Sequence, residues 1–199
     1  MFLRKTGDSS SGSDVISGSA GDDLAVECVA DGGNPAPRIK WSMQGQQLRA
    51  KEDQEDSRMT DGRWRSVSRL RLPVNHEDNS ASLSCHVSHD ALDEDLVDEV
   101  SLNIFYPPRV SVRSSRDPLL SEGDSVTLSC DVDSNPPATI SWRKLEKSTR
   151  YVSNQASFTI SSATRSSAGS YQCVAENELG LSQPETIVLD VECKSRNLL

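Results

Sequence analysis

Hydrophobic residues in this chain recur at every second position, in short runs broken by Gly, Pro, Asn and Asp. Leu24, Val26 and Cys28 alternate with Asp23, Ala25 and Glu27. A period of two places the first set on one face of a half-buried strand and the second on its outer face. The pattern returns with Ile39 and Trp41 inward against Lys40 and Ser42 outward, with Leu83, Cys85 and Val87, and with Val100, Leu102 and Ile104, while Val67, Leu70 and Leu72 belong to a further strand. Asp31-Gly32-Gly33-Asn34-Pro35 punctuates it as a turn, and the polar, acidic stretch 44–63 predicts a short edge strand with loops. After Phe105-Tyr106-Pro107-Pro108-Arg109 the plan starts again. Val110 and Val112 open it. Val126, Leu128 and Cys130 follow, then Ile140 and Trp142, Phe158 and Ile160, Tyr171, Cys173 and Ala175, and finally Ile187, Leu189 and Val191. No segment keeps a helical period for more than about a turn, so an all-β fold is expected.

The repeat also shows in residue types. Cys28, Trp41 and Cys85 form one spaced triplet and Cys130, Trp142 and Cys173 another. Two such triplets in tandem, each set in alternating sequence, predict two copies of one module. The 199 residues suffice for two small domains. We expect one at 15–106 and one at 107–192, flanked by tails at 1–14 and 193–199. Residues 6–21 are rich in Ser, Gly and Asp, which predicts a disordered tail leading to a weak strand near Val15 and Ile16. Of the five Cys, four fall in the triplets and Cys193 is left over. Its role, pairing between chains or a free thiol, is open. Paired Cys in small β domains point to an oxidising compartment.

Ser167-Ala168-Gly169-Ser170-Tyr171-Gln172-Cys173 is similar to the immunoglobulin-fold pattern Asp-x-Gly-x-Tyr-x-Cys, with Ser167 where Asp is usual. The matching run of the first copy, Asn79-Ser80-Ala81-Ser82-Leu83-Ser84-Cys85, keeps only the Cys. Asn34-Pro35-Ala36-Pro37-Arg38-Ile39-Lys40-Trp41 in the first copy, and Glu122–Cys130 with Asn135-Pro136-Pro137 in the second, complete the likeness. The chain resembles cell-adhesion and recognition receptors of the immunoglobulin superfamily, in the nephrin and Kin-of-Irre, nectin-like and echinoid-like group. That resemblance implies two tandem immunoglobulin-like β-sandwiches of C2-set or I-set type, Greek-key in topology, with one disulfide inside each domain. The implied bridges are Cys28–Cys85 and Cys130–Cys173. Trp41 and Trp142 would pack against them, and Tyr171 would form a tyrosine corner that the first copy, with Leu83, lacks. Closing such loops contributes about 4 kcal/mol each in the chain-entropy model.

Charge narrows the partners. Residues 1–106 carry net −8 and residues 107–199 net −1, which excludes a phosphate-binding face for nucleic acid and docking on anionic lipid. No apolar run is long enough to span a bilayer, and Met1-Phe2-Leu3-Arg4-Lys5 lacks the apolar core of a signal peptide. The expectation is an extracellular, cell-surface segment of a longer membrane protein whose signal peptide and transmembrane segment are not in this sequence.

The candidate chemistry is sparse. His86 and His89 stand an odd number of residues apart, on opposite faces of a strand, so no metal site is expected. Asp90, Asp93, Glu94, Asp95, Asp98 and Glu99, and Glu52, Asp53, Glu55 and Asp56, are read as solvated acidic loops that steer a basic partner rather than as a calcium site. Arg63, Arg65, Arg69 and Arg71 share one strand face and are read as a solvent face paired with acids. There is no Asn-x-Ser/Thr sequon, which leaves both sheet faces open to protein contact. Neither an enzyme nor a cofactor is expected. The function implied by the resemblance is adhesion or recognition at the cell surface through sheet faces, with the two domains also serving as spacers in a larger receptor. The partner would be another cell-surface protein, homophilic or heterophilic. The alternative is a ligand-capturing receptor or soluble fragment for a growth factor or glycan. The outward residues of the first copy, Lys40, Ser42, Gln44, His86, Ser88, Glu99, Ser101 and Asn103, are the candidate contacts.

Overall fold

The computed structural model describes the backbone of residues 2–5 and, with side chains, residues 14–48, 53–146 and 150–192. Cys193 and Glu52 lie outside these. The chain divides into two compact units, Met1–Phe105 and Tyr106–Leu199.

The first unit contains β1 (Phe2–Lys5), β2 (Val15–Ser19), β3 (Asp23–Asp31), β4 (Arg38–Met43), β5 (Gln46–Gln47), β6 (Asp53–Arg58), β7 (Trp64–Pro73), β8 (Ser82–Ser88) and the start of β9 (Leu96–Ser114). One sheet runs β1-β3-β7-β6 and the other β5-β4-β8-β9, with β2 added parallel to β9. The inward alternation anticipated for β3 holds, and Leu24, Val26 and Cys28 are buried against Leu72, Leu70 and Ser68 of β7. Two details depart from the simple pattern. Residues 2–5, expected in a disordered tail, form a strand that pairs antiparallel along Val26–Val29 and satisfies the free edge of β3. Glu27 and Val29, on the outer face, are nevertheless buried. For Glu27 part of the cause is Arg69 of β7, whose guanidinium lies 3.7 Å away.

The second unit takes the rest of β9, then β10 (Leu119–Ser121), β11 (Val126–Asn135), β12 (Thr139–Leu145), β13 (Arg150–Ser153), β14 (Ser157–Ile160), β15 (Gly169–Asn177), β16 (Gly180–Leu181) and β17 (Glu185–Glu192). The stretch of β9 after Phe105 pairs with β11, which pairs with β14 on its other side. The facing sheet runs β10-β17-β15-β12-β13. Tyr106 belongs here physically, since its hydroxyl donates to Asp133 at 2.6 Å and Asn177 donates to its carbonyl at 3.1 Å.

Both predicted bridges are present, Cys28–Cys85 and Cys130–Cys173, each linking the two sheets of its unit. Trp41 and Trp142 are fully buried beside them. The two differ in one respect. Trp41 Nε1 donates to Ser68 Oγ at 3.0 Å, whereas Trp142 Nε1 has no partner among the described residues. Ser68 stands opposite Cys28 in the β3–β7 ladder. On the β14 side of Cys130 stands Ala156, whose carbonyl accepts from the Cys130 N–H at 2.8 Å and which has no hydroxyl to offer. The tyrosine corner forms as expected, Tyr171 Oη donating to the Ser167 carbonyl at 3.0 Å. The packed interior of this unit joins Leu120, Val126, Leu128, Trp142, Tyr171 and Leu189.

Candidate functional site

Pairing between β4, β8 and β9 decides which outward residues of the first unit meet. Lys40 lies opposite His86 and His86 opposite Val97, while Ser42 lies opposite Ser84 and Ser84 opposite Glu99. Ser82 faces Ser101, and Asn103 lies alongside Ser17 of β2, to whose hydroxyl it donates at 3.2 Å. Lys40, Glu99 and Ser101 are exposed, and His86, Ser88 and Asn103 are half-buried. Seven of the eight expected residues therefore share one face. Gln44 is exposed but sits in the turn after β4 with φ +51°, off the strand.

Ser42 is a correction. Expected at the surface, it is buried at 8 % exposure, because neighbours on the same face close over it and its hydroxyl lies 2.8 Å from His86 Nε2. The expectation also missed Val97, which is 54 % exposed beside His86. Its signal was available, since it stands two residues before Glu99 on the same alternation.

The charged clusters are largely self-neutralised on the β6–β7 side. Arg69 lies 3.2 Å from Glu55 and Arg65 3.4 Å from Asp31. Arg63 pairs with Asp61 at 2.6 Å, and its hydrogen bonds hold the Asp61 carboxyl below the usual range. Asp56 accepts from the Ser66 hydroxyl at 2.6 Å. Among the described residues no three His, Cys, Asp or Glu side chains come together as a metal cage. His86 lies on β8 and His89 just beyond it, so the loop rather than opposite faces of one strand separates the two imidazoles.

His89 sits in the β8–β9 loop. Its Nδ1 accepts from the Ala91 N–H at 3.0 Å, so the ring proton is on Nε2, which donates to the Pro35 carbonyl at 3.0 Å. The imidazole thus ties the β3–β4 turn to the β8–β9 loop. Gly33 makes the approach possible, since with φ +92° a methyl there would lie 2.9 Å from the ring. Between the two loops the end of the sandwich is left open as an apolar notch of about 250 Å³, lined by Ala30, Gly33, Pro37, Val87, Leu92 and Leu96.

In the second unit Lys144 is buried, yet its ammonium is satisfied by the Ser166 carbonyl at 2.5 Å and Glu146 at 2.7 Å, and it lies 5.5 Å from the Tyr171 ring centre. The hydrogen bond from Lys144 lowers the Glu146 pKa, and burial raises that of Tyr171. On the outer face Arg143 pairs in register with Tyr151, which is 60 % exposed.

Against known proteins, the family model of the immunoglobulin domain matches residues 107–177, and that of the CD80-like C2-set immunoglobulin domain matches residues 11–95. Human Cell adhesion molecule 1 is 27% identical over 165 residues, covering 80% of this chain and 37% of that protein. Mouse Nectin-2 is 30% identical over 176 residues, covering 85% of this chain and 32% of that protein. The chain thus spans about a third of the length of these curated relatives. The crystal structure of the mouse nectin-like molecule 4 full ectodomain, Ig1–Ig3, superposes with a TM-score of 0.78 at 20% identity, covering 97% of this chain and 64% of that one. At that identity the likeness is one of fold. Of the groups that the sequence flanks resemble, these relatives fall on the nectin-like side.

Proposed function

We propose that this chain, which belongs to the immunoglobulin superfamily and is related to the nectins and cell adhesion molecules, acts in adhesion and recognition between cells. It does so outside the cell, by binding another cell-surface protein rather than by catalysis. The contact is the β4–β8–β9 face of the first unit, centred on the row Lys40, His86 and Val97. A single observation supports this choice of face. It carries an exposed aliphatic side chain, a half-buried imidazole and a cation in one row across three strands, whereas the β6–β7 face of the same unit is occupied by its own ion pairs. A binding patch needs an apolar centre with a polar rim, and Val97 with Lys40, Glu99 and Asn103 provides one.

The test is adhesion of beads coated with the 199-residue chain to cells and to each other. A variant carrying Lys40→Glu, Val97→Asp and Asn103→Ala should lose attachment while its melting temperature stays unchanged. Attachment equal to that of the native chain would remove this face from consideration.

A further inference from the structure

The notch at the end of the first unit has no role in the adhesive face, and its lining explains why it is there. Val87 and Leu96 are register partners whose side chains have the inward parity of the sandwich core. Leu96 is nevertheless 48 % exposed and Leu92 37 %, since no described residue caps them. Beside them the β8–β9 loop presents Asp90, Asp93, Glu94 and Asp95, all exposed and none in an ion pair among the described residues. The loop is held in place by His89. The site is therefore an apolar hole with a negative rim on a pinned frame.

What fits it is an aromatic or aliphatic side chain carried beside a cation. The second unit of this chain displays such a group. Tyr151 is 60 % exposed on the edge strand β13, and the exposed Arg143 stands beside it in the ladder. Tyr and Arg are the side chains that most often anchor protein contacts, because each buries much area for little lost freedom.

We propose that the notch receives Tyr151 from a second copy of this chain, with Arg143 against Asp90, Asp93, Glu94 and Asp95. The contact joins two different surfaces, so a single contact leaves the notch of one copy and Tyr151 of the other free. Those free groups admit either a further copy or closure of the contact within the pair. It involves neither Lys40 nor Val97 and stands or falls independently of the adhesive face. It is small, so the association is weak, and it rests on charge, so salt weakens it.

Sedimentation velocity of the full chain, taken to millimolar concentration at low salt, tests this. The native protein should form oligomers, dimers or larger, that dissociate as salt is added. Tyr151→Ser, and separately Asp93→Lys with Glu94→Lys, should each weaken association at least tenfold. All three positions are exposed, and circular dichroism confirms that the variants are folded. The decisive mixture combines the two variants, since one retains the notch and the other retains Tyr151. They should form a one-to-one dimer and nothing larger. A native chain that stays monomeric, variants that associate like native, or a mixture that stays monomeric would each overturn the proposal.

Discussion

Ser68→Ala removes a single oxygen from the first unit and isolates the effect of one buried hydrogen bond. Ser68 and Trp41 are both fully buried, and Trp41 Nε1 donates to Ser68 Oγ at 3.0 Å. The alanine leaves the indole N–H buried with nothing to accept it. Stranding a buried donor costs about 1–3 kcal/mol, more than the net worth of an ordinary hydrogen bond, because the lost hydration is not returned. In a domain of this size about 1 kcal/mol moves the melting temperature by roughly 4–8 °C, so a fall of roughly 5–20 °C is expected. The two units make the assay self-controlled. In differential scanning calorimetry only the transition of the first unit should move. The second unit already carries the unpartnered state, with Trp142 Nε1 buried and without an acceptor among the described residues. A double-mutant cycle adding Trp41→Phe should recover part of the loss, since the stranded N–H disappears with the indole. A shift under about 2 °C, or full additivity in the cycle, would refute the assignment of this hydrogen bond as a stabilising one.

Three other outcomes follow from the same packing. Tyr171→Phe deletes the hydroxyl that donates to the Ser167 carbonyl and should lower only the second transition, by about 0.5–1.5 kcal/mol. Glu146 has its pKa lowered by the Lys144 hydrogen bond, so the folded state favours the carboxylate. That contribution is present above the ordinary glutamate range and is lost as pH falls through the lowered value. An acid titration of the second unit should show this loss, and Lys144→Met should flatten it. Reduction of Cys28–Cys85 and Cys130–Cys173 should remove about 4 kcal/mol from each unit, seen as melting near room temperature in reductant. Unchanged melting after complete reduction, checked by thiol counting, would contradict that account.

Much of the fold could be read in advance because β structure buried on one face imposes a period of two. The inward sets Leu24–Val26–Cys28, Leu83–Cys85–Val87 and Val126–Leu128–Cys130 are where the alternation put them. The candidate face was partly readable for the same reason, with strand parity alone collecting Lys40, His86, Glu99, Ser101 and Asn103 on one side. Parity says which way a side chain points but not what lies above it, and so Ser42 was misjudged: His86 on the adjacent strand closes over it. The same blindness applied to Glu27, outward by period and buried in part by Arg69 from β7.

The all-β class, the two modules, the Cys–Trp–Cys frame and the concentration of the net negative charge in the first half can all be read from the amino-acid sequence. These depend on local period, residue type and count, which survive without knowledge of neighbours. Tertiary structure alone decided the pairing of Phe2–Lys5 with β3, the partner of Trp41 and the lack of one for Trp142. It also decided the row of Lys40, His86 and Val97, and the notch that His89 holds open between two loops. Each of these joins residues far apart in the chain. Their meeting is set by strand register and sheet packing, which no single segment encodes.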